Sequence, residues 1–231
     1  MKYTLFTLFF VMSSIVYADF NKCDYFFPNK RAPKVSVSDP TRELCFDSFA
    51  ILYSVSKKSP VYCVEKLNYI RFNTKVKRKN NFHAEPMLAV NERSTPDDYK
   101  KSGYDKGHVC NAADQTNELA MEQSFSMSNQ TPQVPNLNRK VWAKNVEEAT
   151  RKYVKRSSGD IYVFTGQHYE KNHPTIGKNK VAVPSYVWKL VYDSQTKKSW
   201  VFWLPNTDDV KMAPPISYEE FVKRTGLKLL D

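Results

Sequence analysis

The chain has 231 residues, of which 41% are hydrophobic and 26% charged, and this composition is that of a globular domain with a substantial core. Its 6 glycines and 13 prolines exclude collagen-like and low-complexity chains, and its 4 cysteines are too few for a disulfide-dense miniature scaffold. Lysine and arginine outnumber acidic residues by 35 to 24, a net charge of +11. Such a charge favours a polyanionic partner, namely nucleic acid, anionic lipid or acidic glycan, without choosing among them.

The first 18 residues have the pattern of a secretory signal peptide. Lys2 precedes an apolar run over residues 3–17, and residues 16–18 resemble a signal-peptidase site, so we expect cleavage after Ala18. A membrane anchor is the less favoured alternative, because these 15 residues are fewer than the roughly 20 that a helix needs to cross a bilayer. We therefore expect a single domain over residues 19–231 that is secreted or periplasmic and has no stable membrane association.

Export to an oxidising compartment makes the cysteines candidates for two disulfides. They are Cys23, Cys45, Cys63 and Cys110, and the sequence leaves all three possible pairings open. A zinc site is less favoured because these cysteines are 18 or more residues apart, whereas zinc sites use closely spaced pairs. A nucleophilic cysteine is a further alternative, since Cys110 follows His108 by two residues and alternate residues of a strand point the same way.

The predicted elements begin with strands. A polar lead-in over residues 19–45 precedes an aromatic and β-branched stretch at 49–64, which is typical of strands around a turn at 57–60. The segment 65–85 carries six basic residues and no acid between its two terminal glutamates, so it is either a solvated face or a phosphate-binding edge. Residues 97–135 are polar, and this composition predicts loops that carry a functional site.

The second half of the sequence contains predicted helices and strands in turn. Apolar residues recur at helical spacing over residues 138–156, and strands are predicted at residues 161–165, 181–183, 187–192 and 200–204. Ser217 and Glu220 form a capping box for a last helix that ends at Gly226. This order of elements predicts an α+β fold with a mostly antiparallel sheet.

The best candidates for catalysis or metal binding are His108, in the segment Asp105-Lys106-Gly107-His108, and the asparagines Asn129 and Asn138. A neutral imidazole near pH 7 can take a proton from water, and amide oxygens can hold a hard cation while leaving most of its waters in place. These residue types suit a general-base site. The alternative is a histidine whose ring is satisfied by backbone hydrogen bonds.

These segments resemble the DNA/RNA non-specific endonucleases of the ββα-metal superfamily. Asp105-Lys106-Gly107-His108 matches the Asp-Arg-Gly-His signature of that family at three of four positions. Further matching blocks follow in the same order at residues 128–133, 137–142, 162–166, 183–189 and 223–227. The resemblance covers the chain from about residue 48 to its end.

The resemblance implies a hairpin and a helix around one divalent cation, Mg²⁺ with Mn²⁺ as a possible substitute. His108 would be the general base that activates a water, and Asn138 the single direct protein ligand of the cation. The remaining ligands would be water and phosphate oxygen, as Mg²⁺ prefers. The implied activity is hydrolysis of DNA and RNA without sequence specificity, leaving 5′-phosphate ends.

Two further residues receive roles from the resemblance. Arg78, within Arg78-Lys79-Asn80-Asn81-Phe82, matches the arginine that stabilises the charge of the transition state. Its alternative role is one more solvated charge in a basic run. Asn129 would lie near the water of the cation and orient it rather than react.

The sequence departs from the family pattern at two positions. Lys106 replaces the signature arginine, so positive charge is retained while a bidentate grip is lost. The family also places a glutamate eight residues after the metal asparagine, where this chain has Val146, and Glu147 comes one residue later. One added residue rotates a side chain on a regular helix by about 100°.

A π-turn between Asn138 and Glu147 would absorb this added residue, and the spacing from Glu147 to Arg151 supports that hypothesis. Asn145 is the substitute candidate if the helix is regular. Because of both departures, the alternative function is a catalytically weakened, nucleic-acid-binding member of the same fold. A basic surface or adhesion protein is a third possibility, but it leaves the motif residues without a purpose.

Overall fold

The computed structural model of the protein describes residues 19–74 and 76–230. The predicted leader, residues 1–18, lies outside the described residues. The strands are β1 Thr41–Cys45, β2 Ala50–Ser54, β3 Ser59–Leu67, β4 Asp105–His108, β5 Gln130–Gln133, β6 Ile161–His168, β7 Thr175–Ile176, β8 Val181–Ala182, β9 Tyr186–Asp193 and β10 Ser199–Pro205. The helices are α1 Glu118–Ser124, a π-helix Leu137–Glu147, α2 Glu148–Val154 and α3 Tyr218–Thr225. Short 3₁₀ turns lie at Phe20–Lys22, Asp24–Phe26, Pro28–Lys30, Tyr69–Asn73, Pro96–Tyr99, Ala112–Asp114 and Met127–Asn129.

Six strands form one antiparallel sheet in the order β1-β2-β3-β6-β9-β10. Alternate residues of a strand point to opposite faces, and both faces of β6 and β9 are buried. Phe164 and Leu190 pack on one face with the N-terminal turns and α3, whereas Val163 and Val191 pack on the other face with the π-helix. The sheet therefore lies between two layers, and the π-helix covers one of its faces.

The segment that precedes the π-helix forms a separate hairpin. β4 and β5 pair antiparallel, with Asp105 opposite Gln133 and His108 opposite Gln130. Gly107 allows this close pairing, because a Cβ there would collide with the side chain of Gln133 and force it to move. The connection between the two strands contains α1, and β5 leads directly into the π-helix at Leu137, so a strand pair is followed by a helix, as the resemblance implies.

The α+β fold with a mostly antiparallel sheet is confirmed. The structure extends three of the predicted strands by two or three residues and shortens the strand predicted at 181–183 to Val181–Ala182. It places α3 between Ser217, which caps its first turn, and the left-handed Gly226. The expectation of a polar lead-in over residues 19–45 is wrong at its end, since Thr41–Cys45 is edge strand β1. The predicted loop region 97–135 also contains β4, α1 and β5.

All four cysteines are in disulfides, which pair Cys23 with Cys45 and Cys63 with Cys110. This excludes the zinc and nucleophilic alternatives for these residues, because both need a free thiolate. Over residues 19–74 and 76–230, no helix combines the length and apolarity needed to span a membrane.

Candidate active site

His108 ends β4 and lies in an aromatic pocket. Its ring packs edge-on against Phe125, with centroids 4.8 Å apart, and contacts Phe82 at 5.6 Å. The ring is buried, and its Nε2 has no hydrogen-bond partner among the described residues. Backbone hydrogen bonds therefore do not satisfy this nitrogen. The alternative of a histidine whose ring is satisfied by the backbone does not account for its environment.

Burial, and secondarily the charge of Arg78, lowers the pKa of His108 to about 3. The imidazole is consequently neutral at pH 7. A neutral ring with an unoccupied Nε2 can accept a proton, which is what a general base requires.

Arg78 also packs against Phe125, the aromatic ring that contacts His108. Its guanidinium carbon is 5.2 Å from the centroid of Phe125, and its Nε donates to Asn80 Oδ1 at 2.9 Å. The side chain is exposed, and its charge acts on both His108 and Glu147. The structure thus brings Arg78 close to two of the other predicted site residues and leaves it accessible to a ligand.

Asn138 stands in the first turn of the π-helix and is held by the first residue of β4. Its Nδ2 donates to Asp105 Oδ2 at 2.9 Å, and Arg139 donates to the same carboxylate through Nε at 2.8 Å. Although burial opposes ionisation of Asp105, these hydrogen bonds lower its pKa. A fixed Nδ2 leaves Asn138 Oδ1 as the acceptor available to a cation.

The donor set around Asn138 suits a partly hydrated hard cation. In the part of the chain that the structure describes, no group of three or more His, Cys, Asp or Glu side chains could hold a metal ion. An amide oxygen is a suitable ligand for Mg²⁺, which retains several waters when it is bound by few protein groups. Sequence reasoning gave no role to Asp105, although its place at the head of the signature was a usable signal.

Asn129 is buried and is bonded entirely to the backbone. Its Oδ1 accepts from Cys110 N at 2.8 Å, and its Nδ2 donates to Cys110 O at 2.8 Å and Ser124 O at 2.9 Å. Both donor hydrogens are therefore occupied, so the amide group does not have the freedom to orient a water as expected. Its contacts instead fix the backbone two residues after His108.

Glu147 ends a π-helix that extends over all eleven residues from Leu137. The hypothesis of a π-turn between Asn138 and Glu147 is confirmed, and the element is longer than a single turn. Glu147 follows Asn138 by nine positions. This offset is about two and a half turns of an α-helix, which would put the two side chains on different faces. In a π-helix, where each hydrogen bond spans five residues, the same offset is nearer two turns. The π-helix therefore compensates for the added residue, whereas the substitute candidate Asn145 is exposed.

Burial raises the pKa of Glu147 to about 7, and nearby Asp114 raises it further. Lys189, Arg151 and Arg78 oppose this shift. Glu147 is thus part of a charge cluster that also includes Arg78.

Lys106 lies on the same face of β4 as His108, since the two are alternate residues. Its Nζ is 4.8 Å from the centroid of Phe82, the ring that also contacts His108. The side chain is partly buried. The structure therefore places a point charge beside the aromatic pocket, as the resemblance implies.

Sequence reasoning missed the buried Glu85 as a support of this region. Its Oε2 accepts from Ser126 at 2.6 Å and from Ser128 at 3.2 Å, and its Oε1 accepts from Met87 N at 3.0 Å. Glu85 therefore anchors the turn that leads into Asn129. In the sequence, Glu85 is marked only by its position shortly after Arg78. Its partners Ser126 and Ser128 lie about forty residues later, and the sequence alone does not pair them with Glu85.

A strand pair that carries His108, followed by a helix that carries Asn138, is the ββα arrangement that the resemblance implies. The sequence matches the family model described as DNA/RNA non-specific endonuclease over residues 29–231. The chain belongs to this family.

Known proteins of similar sequence carry nuclease names. The mitochondrial endonuclease G of Homo sapiens is 32% identical over 158 residues, which cover 63% of this chain and 52% of that protein. Nuclease C1 of Cunninghamella echinulata is 32% identical over 170 residues, which cover 66% of this chain and 67% of that protein. The chain thus spans about half the length of the endonuclease G that it matches.

A solved structure has the same fold. The crystal structure of an EndoG/EndoGI complex, whose subject is the mechanism of EndoG inhibition, matches with a TM-score of 0.73 and 25% identity. The match covers 82% of this chain and 85% of that one. The architecture described above is therefore that of an EndoG-like chain.

Proposed function

We propose that this protein is a metal-dependent endonuclease that hydrolyses phosphodiester bonds of DNA and RNA without sequence specificity. The observation that carries the proposal is the buried, neutral ring of His108, whose unpartnered Nε2 lies near the charge of Arg78. Family membership and the nuclease names of the relatives support the same activity.

His108 Nε2 would accept the proton of the attacking water. In the free protein its pKa of about 3 makes it a weak base, but a bound phosphodiester adds negative charge that favours the protonated ring. Arg78 would hold the phosphate through its guanidinium, whose planar set of donors matches phosphate oxygens. Lys106 would add a second, less directional positive charge.

Asn138 Oδ1 would hold Mg²⁺, or Mn²⁺ in its place, with Asp105 fixing the amide. When it is bound, the cation supplies neutralisation of phosphate charge and stabilisation of the leaving 3′ oxygen, which gives 5′-phosphate ends. Glu147 would accept a hydrogen bond from water near the scissile phosphate. Asn129 would act by positioning, since its contacts fix the backbone after His108.

Lack of sequence specificity has a physical basis in this chain. A net charge of +11 favours contacts to phosphates, which carry no base identity. We further propose that the protein is secreted or periplasmic, with a leader removed after Ala18. The two disulfides support an oxidising compartment.

The test is cleavage of supercoiled plasmid and of RNA in the presence of Mg²⁺, Mn²⁺ or a chelator. The wild type should cleave both substrates only with metal, and His108→Ala should lose about 10²- to 10⁴-fold in rate. His173→Ala is the matched control, because this histidine lies in the loop between β6 and β7 and contacts Glu170 O and Lys57 of the turn between β2 and β3 instead of the residues around His108. Salt-sensitive binding without cleavage by the wild type would instead support the catalytically weakened alternative.

A further inference from the structure

A cavity of about 390 Å³ adjoins the candidate active site. Arg78 lines this cavity, and its guanidinium also packs against Phe125, the ring that contacts His108. Apolar side chains, among them Phe72 and Met121, form part of the lining. The volume lies within the range of ligand-binding clefts, roughly 300–1,000 Å³. The cavity is therefore large enough to hold part of a substrate that Arg78 binds.

Helix α2 contributes two cations to the same cavity. Arg151 and Lys155 both line it, and Lys155, directly after the last residue of α2, still has helical backbone angles. Glu147 precedes Arg151 by four residues, and Lys155 follows Arg151 by four. Residues four apart lie on one face of a helix, about 6 Å apart along its axis. These three residues therefore form a row that leads from the candidate active site along the cavity.

The two cations of this row differ in how they are compensated. Arg151 Nη1 lies 3.3 Å from Oδ1 of the buried Asp114. Lys155 forms no ion pair with a carboxylate within residues 19–74 and 76–230, and its Nζ lies 5.8 Å from the ring centroid of Phe72. The lysine side chain is exposed. Lys155 thus brings to the cavity a positive charge that no nearby carboxylate neutralises.

We propose that Lys155 binds a phosphate of the substrate strand that lies one or two nucleotides beyond the scissile phosphodiester. This inference rests on the proposed function and adds a second binding position to the proposed site. Glu147 and Lys155 are two helical turns apart, about 12 Å along the axis, which is far enough for the strand to reach Lys155 with a later phosphate. The sugar between the two phosphates would contact the apolar lining.

The chemistry of this position suits a backbone contact. An ammonium on a flexible stem is a point charge that binds phosphate without a fixed direction, and such a contact carries no base identity. The position therefore adds affinity for a longer strand and leaves the lack of sequence specificity unchanged.

The experiment compares Lys155→Met, Lys155→Arg and the wild type on two substrates. One is a thymidine octanucleotide, and the other is a nitrophenyl phosphodiester of thymidine, which has a single phosphate and cannot reach Lys155. Lys155→Met should raise KM for the octanucleotide roughly two- to fivefold, the range that an exposed ion pair supports, with kcat unchanged. Its KM for the small diester should equal that of the wild type. Lys155→Arg keeps the charge and should restore the KM for the octanucleotide.

The matched control is Lys152→Met. It removes the same charge from the same helix, but Lys152 pairs with Glu148 at 2.7 Å and does not line the cavity. An unchanged KM of Lys155→Met for the octanucleotide would overturn the proposal. An equal rise for both substrates, or an equal rise in Lys152→Met, would overturn it too, because the lysine would then act on the scissile phosphate or only through the net charge.

A second readout does not depend on cleavage. In the His108→Ala background, binding of a fluorescent octanucleotide is followed by anisotropy at several salt concentrations. Adding Lys155→Met should reduce the slope of log K against log salt by about 0.7, the value for one contact to a single strand, whereas adding Lys152→Met should not change it. An unchanged slope with Lys155→Met would contradict the phosphate contact. If the wild type cleaves no nucleic acid, the proposed function fails, and the anisotropy series still decides whether Lys155 binds a phosphate.

Discussion

Removal of the disulfide between Cys63 and Cys110 should affect both stability and activity. The bond closes 47 residues, so the entropy of loop closure predicts a loss of about 4 kcal/mol from the free energy of unfolding in the variant Cys63→Ala/Cys110→Ala. The bond between Cys23 and Cys45 closes 22 residues, for which the same relation gives about 3.4 kcal/mol. Urea unfolding with linear extrapolation measures both losses.

The two variants should differ more in activity than in stability. Cys110 follows His108 by two residues, and its disulfide ties that backbone to β3, whereas Cys23–Cys45 ties the N-terminal turns to β1. Loss of the first bond leaves the backbone of Cys110 fixed by its hydrogen bonds to Asn129. Small displacements of a catalytic group strongly lower the reaction rate. At equal folded fraction we expect roughly tenfold lower kcat for Cys63→Ala/Cys110→Ala than for Cys23→Ala/Cys45→Ala. Equal activities, or full activity under reductant, would refute this bracing role.

Three further predictions concern the site. Asp105→Ala should raise the Mg²⁺ concentration for half-maximal cleavage by about 10- to 100-fold because Asn138 loses its anchor, while Arg139→Met, which keeps that bond, should change it little. Binding of DNA by His108→Ala should weaken steeply with salt, and the added change Arg78→Ala should reduce the slope of log K against log salt by about one; a flat dependence would contradict phosphate recognition. His108 is protonated below about pH 6.5 in the unfolded chain but only near pH 3 in the folded protein. The free energy of unfolding of the wild type, relative to His108→Gln, should therefore fall as the pH decreases between these values, as measured by urea unfolding. A constant difference would contradict a buried neutral ring.

The main sheet was predictable because its central strands are long apolar runs bounded by turn residues. Edge strand β1 was not, since Thr41-Arg42-Glu43-Leu44-Cys45 has no apolar run: Arg42 pairs with Glu92, and Glu43 accepts a hydrogen bond from Phe20 N. Hairpin β4–β5 is polar as well, because Asp105 binds Asn138 of the π-helix and Gln130 binds the backbone of Ser124 and Ser126 rather than an apolar core. Local composition therefore fails where a strand serves the site.

Within the site, spacing predicted more than composition. The π-helix was predictable because the chain has one residue more than the family pattern between Asn138 and Glu147. A π-turn absorbs one added residue and keeps both side chains on one face of the helix. The partners of Asn129 did not follow, because they are the backbone groups of Cys110 and Ser124, which only the folded chain brings together. Lys189 left a readable signal, a lysine within an apolar strand, but its hydrogen bond to Thr165 of the neighbouring strand β6 is formed only in the folded sheet.

Burial shifts the pKa values of His108 and Glu147 in opposite directions, and the charges of substrate and metal would counteract both shifts. Burial holds His108 neutral with a pKa of about 3, and it raises the pKa of Glu147 to about 7. A bound phosphodiester would bring negative charge that raises the basicity of the ring and offsets the field of Arg78, whereas a cation near Asn138 would favour the Glu147 carboxylate. Burial therefore does not disable these groups: it makes their proton affinities respond strongly to the charges of substrate and metal, because the low dielectric of the pocket screens those charges weakly.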